Sequence, residues 1–276
     1  MIGKTRQASD EPRGVLVPRL QAGSFSHQRR APSAALQDLV EHYWYVSWDM
    51  QGNPPQVQET LPHPSVHLVV ERETDGIYGV HTARYTRLLD GQGFAFGIKF
   101  RPGGFRPFLG RPLAAISDQR LPLEAVFGPA GPGYARQIRA CTGAATMMDS
   151  AEAFLLARLP EPDESVVRAN ALVAAIGADA GLLSVDALVA QCGLDKRRLQ
   201  RLFQNYVGVG PKWVIKRYRM HDAVARLQSD TPPPLAQLAL ELGYFDQAHF
   251  VNDFAALVGK TPGEYLRVNR ASMAPR

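Results

Sequence analysis

The sequence predicts an α+β protein: a β-rich, barrel-like N-terminal domain, a helical connecting segment and an all-α C-terminal domain with two helix-turn-helix units. Three observations carry that expectation. Between Tyr43 and Phe127 the runs HYWYVSWDM, SVHLVVE, DGIYGVHTARYTRLL and GFAFGIKF are β-branched and aromatic, with Gly, Pro and Asn between them. That is the pattern of short strands. From Gly133 to Ala180 the spacing turns helical, clearest in AEAFLLARL and ESVVRANALVAAI, with EPDES at 161–165 as the break between them. The remaining residues read as nearly all helix and contain an internal repeat.

The boundaries that follow are a flexible polar arm over 1–33, a putative sensor domain over 34–130, a helical connector or dimerisation segment over 131–167, and the C-terminal domain over 168–276. At 276 residues the chain is long enough for two domains that each bury a core. No apolar run approaches the ~20 residues of a membrane span. Arg6, Asp10, Glu11 and Arg13 interrupt the first residues, so a secretory signal is not expected. The two cysteines, Cys141 and Cys192, form no metal-like cluster or paired framework, which points to a reducing cytoplasm.

Charge is unevenly placed. Residues 1–180 hold 18 basic and 18 acidic side chains, whereas residues 181–276 hold 13 against 8 and so carry the whole net charge of +5. A basic segment beside a neutral one points to a polyanionic partner, although chance scatter along a basic chain would give the same count.

The repeat is the most specific signal. SVDALVAQCGLDKRRLQRLFQNYVGVGP from Ser184 matches PLAQLALELGYFDQAHFVNDFAALVGKTP from Pro234. Gly193 corresponds to Gly243, Leu199 and Phe203 to Phe250 and Phe254, and the second turn is one residue longer. In each copy an apolar helical run ends at a glycine, where a left-handed residue is cheapest, and an aspartate (Asp195, Asp246) can cap the next helix. Both copies then close alike, through Gly208 and Pro211 or through Gly259 and Pro262. Between them WVIKRYRMHDAVARLQ reads as a long helix that can hold two such units at a fixed separation.

Residues of about 168–270 resemble the DNA-binding domain of the AraC/XylS family of transcription regulators, most strongly in ELGYFDQAHFVNDF followed by GKTPGEY and in LQRLF followed by VGVGP. FGIKFRPGGFRPFLGRPL is similar to the β-rich N-terminal domain of one branch of such regulators. The resemblance implies two units reading adjacent major-groove turns of promoter DNA, under a separate sensing or dimerisation domain. It further implies a small-molecule effector, with RNA polymerase and a second copy of the chain as additional partners. It implies neither a cofactor nor an enzymatic activity.

Residue chemistry supports the same view. In the first unit Leu199, Leu202 and Phe203 face inward, leaving Lys196, Arg197, Arg198, Gln200 and Arg201 outside. Arginine can pair bidentately with guanine and glutamine with adenine, so Arg197, Gln200 and Arg201 are the base-edge candidates and Lys196 and Arg198 the phosphate candidates. A solvated basic face is the bland alternative. The second unit departs from the family pattern: where many members place an arginine, this chain has Asn252, followed by Asp253. Its outward candidates are Gln247, His249 and Asn252, which offer less electrostatic affinity, and a mainly packing role is the alternative.

In the β-rich segment Trp44, Tyr45, His63 and His67 are candidate walls of an effector pocket. Glu59, His63 and His67 are four apart, but Pro62 and Pro64 argue against a helix there. On an extended strand His63 and His67 would share a face, and pocket lining or packing is favoured over a metal site. FRPGGFR at 100–106 offers either an anion-binding nest or a structural turn after a strand. No nucleophile–base pair or phosphate loop stands out. A DNA-targeted enzyme and an effector-independent DNA-binding regulator remain as alternatives. An alkyl-acceptor repair enzyme would need a reactive cysteine, and the β-rich segment has none.

Overall fold

The computed structural model describes residue 16 and residues 23–273. Eight strands form the N-terminal domain: β1 (Ser24–Arg30), β2 (Val40–Asp49), β3 (Gln56–Thr60), β4 (His67–Glu71), β5 (Asp75–Tyr78), β6 (Tyr85–Leu89), β7 (Gln92–Phe100) and β8 (Arg120–Leu121). Six make an antiparallel sheet in the order β1-β2-β7-β4-β5-β8, and β3 pairs with β6 in a separate two-stranded ladder. The run DGIYGVHTARYTRLL thus supplies two strands that lie in different sheets.

The arm expected over 1–33 falls mostly outside the described residues. Its described end is not an arm, because residues 24–30 pair along their whole length with β2. Nearly every residue of β1 is exposed. A strand held by its ladder alone, with no buried face, leaves no apolar alternation in the sequence to find it by.

Alternation divides the other side chains between the two faces of the large sheet. Tyr43, Leu68, Val70, Ile77, Phe96, Ile98 and Phe100 face one side, where short helices α1 (Arg106–Leu109) and α2 (Glu124–Phe127) and longer helices α3 (Ala130–Ala140) and α4 (Ala144–Leu156) close over them. Tyr134, Ile138, Met147, Phe154 and Leu155 complete that core. Segment 131–167, expected as a connector, therefore belongs to the N-terminal core through α4. Its apolar helix faces are paired with the sheet, a partnership that helical spacing alone does not name.

The joint comes at Pro160–Pro162. Asp163 accepts a hydrogen bond from Ser165 N at 2.8 Å and so caps α5 (Glu164–Ala178). The boundary expected at 168 thus lies inside a helix. Five further helices and one terminal helix follow: α6 (Val185–Cys192), α7 (Lys196–Tyr206), α8 (Pro211–Leu227), α9 (Leu235–Glu241), α10 (Gln247–Val258) and α11 (Pro262–Met273).

Helix α8 joins two cores. Its Val214 and Ile215 pack with Leu172, Leu188, Leu199 and Phe203 of the first unit, and its Met220, Ala223, Val224 and Leu227 pack with Leu238, Phe250, Phe254 and Tyr265 of the second. One continuous helix buried in both cores fixes the relative position of the two units.

The N-terminal domain reaches both cores as well. Val80 packs into the first and Leu61 into the second. Ser117 Oγ donates to Gly208 O at 2.8 Å, Arg84 donates to Val258 O at 3.0 Å, and Lys260 pairs with Glu59 at 3.1 Å.

Candidate nucleic-acid interface

Each unit is a pair of helices around a tight turn. Gly193 has φ +66° and Gly243 has φ +74°, the left-handed conformation that admits glycine without strain. The next helix then starts at an aspartate cap. Asp195 Oδ1 accepts from Arg198 N at 2.8 Å, and Asp246 Oδ1 accepts from His249 N at 2.7 Å. The repeat read in the sequence is therefore a repeat of local geometry, with helices α7 and α10 in matched positions.

On α7, Leu199 and Phe203 are fully buried. Lys196, Arg197, Arg198, Gln200 and Arg201 are all exposed, on the outward side expected. Lys196 lies 3.3 Å from Asp186 and Arg198 lies 3.2 Å from Asp195, both in water-exposed pairs. Among the described residues no carboxylate pairs with Arg197 or Arg201. Two unpaired guanidiniums with Gln200 between them make a surface suited to acceptor-rich base edges.

On α10, Phe250, Phe254 and Val258 are buried, while Gln247, His249 and Asn252 are exposed. Asp253, beside that surface, is only partly exposed. It pairs with Lys216 of α8 at 2.8 Å and lies 3.8 Å from His249 Nε2. The carboxylate that made this helix look ill-suited to a polyanion is thus largely neutralised within the domain.

The four expected effector-pocket residues do not share one wall. Trp44 and His67 come together, their rings 6.2 Å apart and edge-on. Tyr45 faces the opposite side of the sheet and stacks on Phe94 in the helix-covered core. His63 lies at the joint between domains, stacked 4.1 Å from His221 of α8. The strand period of two separates Tyr45 from Trp44, and the prolines around His63 carry it out of the sheet.

Instead, the register aligns His42, Lys99, His67 and Tyr78 across β2, β7, β4 and β5, with Trp44 opposite Gly97 in the next row. A Cβ at Gly97 would come within 2.2 Å of the Trp44 indole, so only glycine lets this ring lie flat on the sheet. Lys99 is buried and pairs with Glu41 at 2.9 Å. Burial and then the Lys99 charge hold the His42 imidazole down at about 4, and burial likewise pushes His67 well below its ordinary value. Trp44 Nε1 is a buried donor without a partner. Sequence reading missed His42 and Lys99; only strand register brings them beside Trp44 and His67.

The other candidates resolve structurally. Glu59, His63 and His67 stand in different surroundings, and the described residues contain no cluster able to hold a metal. The FRPGGFR turn joins the domains: Gly103 N donates to Asn170 Oδ1 at 2.9 Å, and Arg106 lies over the Tyr206 ring.

Two family models match the chain: a helix-turn-helix domain over residues 188–268, and a domain of unknown function (DUF6597) over residues 28–122. The chain carries the double helix-turn-helix domain of the AraC/XylS family.

That AraC/XylS-type region is similar to the HTH-type transcriptional regulator MtrA of Neisseria gonorrhoeae, 28% identical over 84 residues, which are 30% of this chain and 28% of the relative. It is also similar to the HTH-type transcriptional regulator GlxA of Rhizobium meliloti, 32% identical over 81 residues, which are 29% of this chain and 25% of that protein. The match thus spans about a quarter of either relative. Among solved structures, ToxT of Vibrio cholerae O395 overlaps 90% of this chain and 98% of its own at 10% identity and a TM-score of 0.39, a likeness too loose to argue from.

Proposed function

We propose that this protein is a sequence-specific regulator of transcription that binds double-stranded promoter DNA through α7 and α10 and takes a small-molecule effector in its N-terminal domain. The observation that carries the reading is the pair of matched units on one shared helix. Exposed Arg197, Gln200 and Arg201 on one head and Gln247, His249 and Asn252 on the other supply bidentate and single donors for base edges. Lys196 and Arg198 sit where phosphate contacts would set register. The reading places the protein in the cytoplasm, assigns it no enzymatic role, and admits RNA polymerase and a second copy of the chain as partners.

The effector surface in this reading is the sheet face with Trp44 and His67, joined now by His42 and Lys99. The unpartnered indole donor and the buried ammonium favour a ligand that combines a flat apolar body with an acceptor group. Tyr45 and His63 drop out of that wall because they face other surroundings.

The test is duplex binding by the full chain across a salt series. Phosphate neutralisation releases counterions, so affinity should fall steeply as salt rises, with a log–log slope of about −0.9 for each phosphate neutralised. No duplex binding at low salt, or binding flat between low and physiological salt, would overturn the reading.

A further inference from the structure

The one-residue difference between the two turns has a physical consequence. In the first unit Gly193 is followed by Leu194 and then by the capping Asp195. In the second, Gly243 is followed by Tyr244, Phe245 and the capping Asp246. Tyr244 takes the buried place of Leu194, 4% exposed and in ring contact with Phe250 and His249, with the Arg219 guanidinium 4.0 Å over its face. The extra residue is therefore Phe245, and it is 91% exposed.

Nothing about this ring is loose at its base. Tyr244 N donates to Ala239 O at 2.9 Å, Gly243 N donates to Leu240 O at 2.9 Å, and Asp246 caps α10. Anchored residues on both sides hold a large apolar ring in water, beside the first turn of a reading helix. A Phe ring that finds no burial within its own chain gains most from a partner that desolvates it.

We infer that Phe245 is a specificity-determining residue that packs against the C5-methyl group of a thymine in the major groove. The inference rests on the DNA-binding reading above. A helix-turn-helix enters the groove with the N-terminal end of its second helix against the bases, and Phe245 directly precedes that end. Phenylalanine is one of the side chains that read thymine by its methyl group. The contact gives the second head, whose outward residues are uncharged or weakly basic, a means of reading sequence that does not depend on charge.

The experiment uses the full chain and a duplex obtained by binding-site selection with the unaltered protein. Each thymine of the selected site is then replaced by deoxyuridine, which removes only the methyl group. The unaltered protein should lose affinity at one thymine, and Phe245→Ala should bind the selected duplex about tenfold more weakly and be indifferent to that replacement. Its melting temperature should not change, because the ring touches little of the fold. The inference is overturned if Phe245→Ala binds the selected duplex as well as the unaltered protein while Arg201→Ala does not. It is equally overturned if Phe245→Ala weakens binding to all duplexes alike with no thymine singled out. A selection that enriches no sequence would instead remove the DNA-binding reading itself, before any variant is made.

Discussion

Arg217, on the helix shared by the two reading units, donates from Nη2 to the backbone carbonyl of Thr82 in the N-terminal domain. Its side chain is 1% exposed and its guanidinium lies 4.4 Å over the Trp213 ring. Burial lowers its affinity for a proton to about 10, yet it stays cationic at neutral pH. A buried cation held by a carbonyl of the other domain ties the N-terminal domain to the helix that spaces the two units.

Replacing Arg217 should therefore cost more than a surface arginine would. Arg217→Ala removes the bond, the ring contact and the packed stem, and should lower unfolding free energy by about 3 kcal/mol in denaturant titration. Arg217→Met keeps most of the volume and buries no charge, so it should lose less. Equal losses would mean that the packed stem contributes nothing beyond the bond and the ring contact that both variants remove.

Acid should destabilise the N-terminal domain. His42 has a folded-state value of about 4 against an ordinary 6.5, so its contribution is fully present above about pH 6.5 and is lost as pH falls towards 4, about 3 kcal/mol in all. Desolvation, Lys99 and Arg29 disfavour its charged form and Glu41 opposes them; His67 shifts in the same direction. Thermal melts from pH 7.5 to 5 should show falling stability, with a shallower slope in His42→Gln. Stability that rises on acidification would contradict this.

The two heads should contribute unequally to sequence preference. Each bidentate arginine contact is worth about 1–3 kcal/mol of discrimination, so Arg201→Ala should relax preference at one position and weaken specific binding roughly tenfold. Asn252→Ala should do less. Asn252→Arg should tighten binding to all duplexes by adding a phosphate contact. Competition binding at fixed salt measures all three, and specificity erased by Asn252→Ala but kept by Arg201→Ala would reverse the assignment.

Helix capping offers a separate check on the second head. Asp246→Ala removes the acceptor for His249 N and should cost about 1 kcal/mol of stability, whereas Asp246→Asn should retain most of it. A full loss in the asparagine variant would mean that the carboxylate acts through charge rather than as an acceptor.

The repeat was legible because its two turns, caps and buried aromatics recur as residue types at fixed offsets; Gly243, Asp246, Phe250 and Phe254 appear in the structure in the roles their spacing implies. Outward residues of α7 were legible for the same reason. What was not legible depends on long-range pairing. Strand β1 has no buried face, α3 and α4 look like any amphipathic helices until the sheet is beneath them, and Lys99 meets His42 and His67 only through register. Trp44 and Tyr45 were adjacent in one aromatic run, and the pleat sent them to opposite faces.

Two matched heads on one rigid helix should read two neighbouring stretches of duplex. Binding-site selection with the full chain at fixed salt decides whether they do. The expected result is a consensus with two preferred blocks centred about 10 base pairs apart, the block read by α7 being lost in Arg201→Ala. A consensus with a single block, or two blocks whose spacing varies freely among the selected sequences, would contradict it.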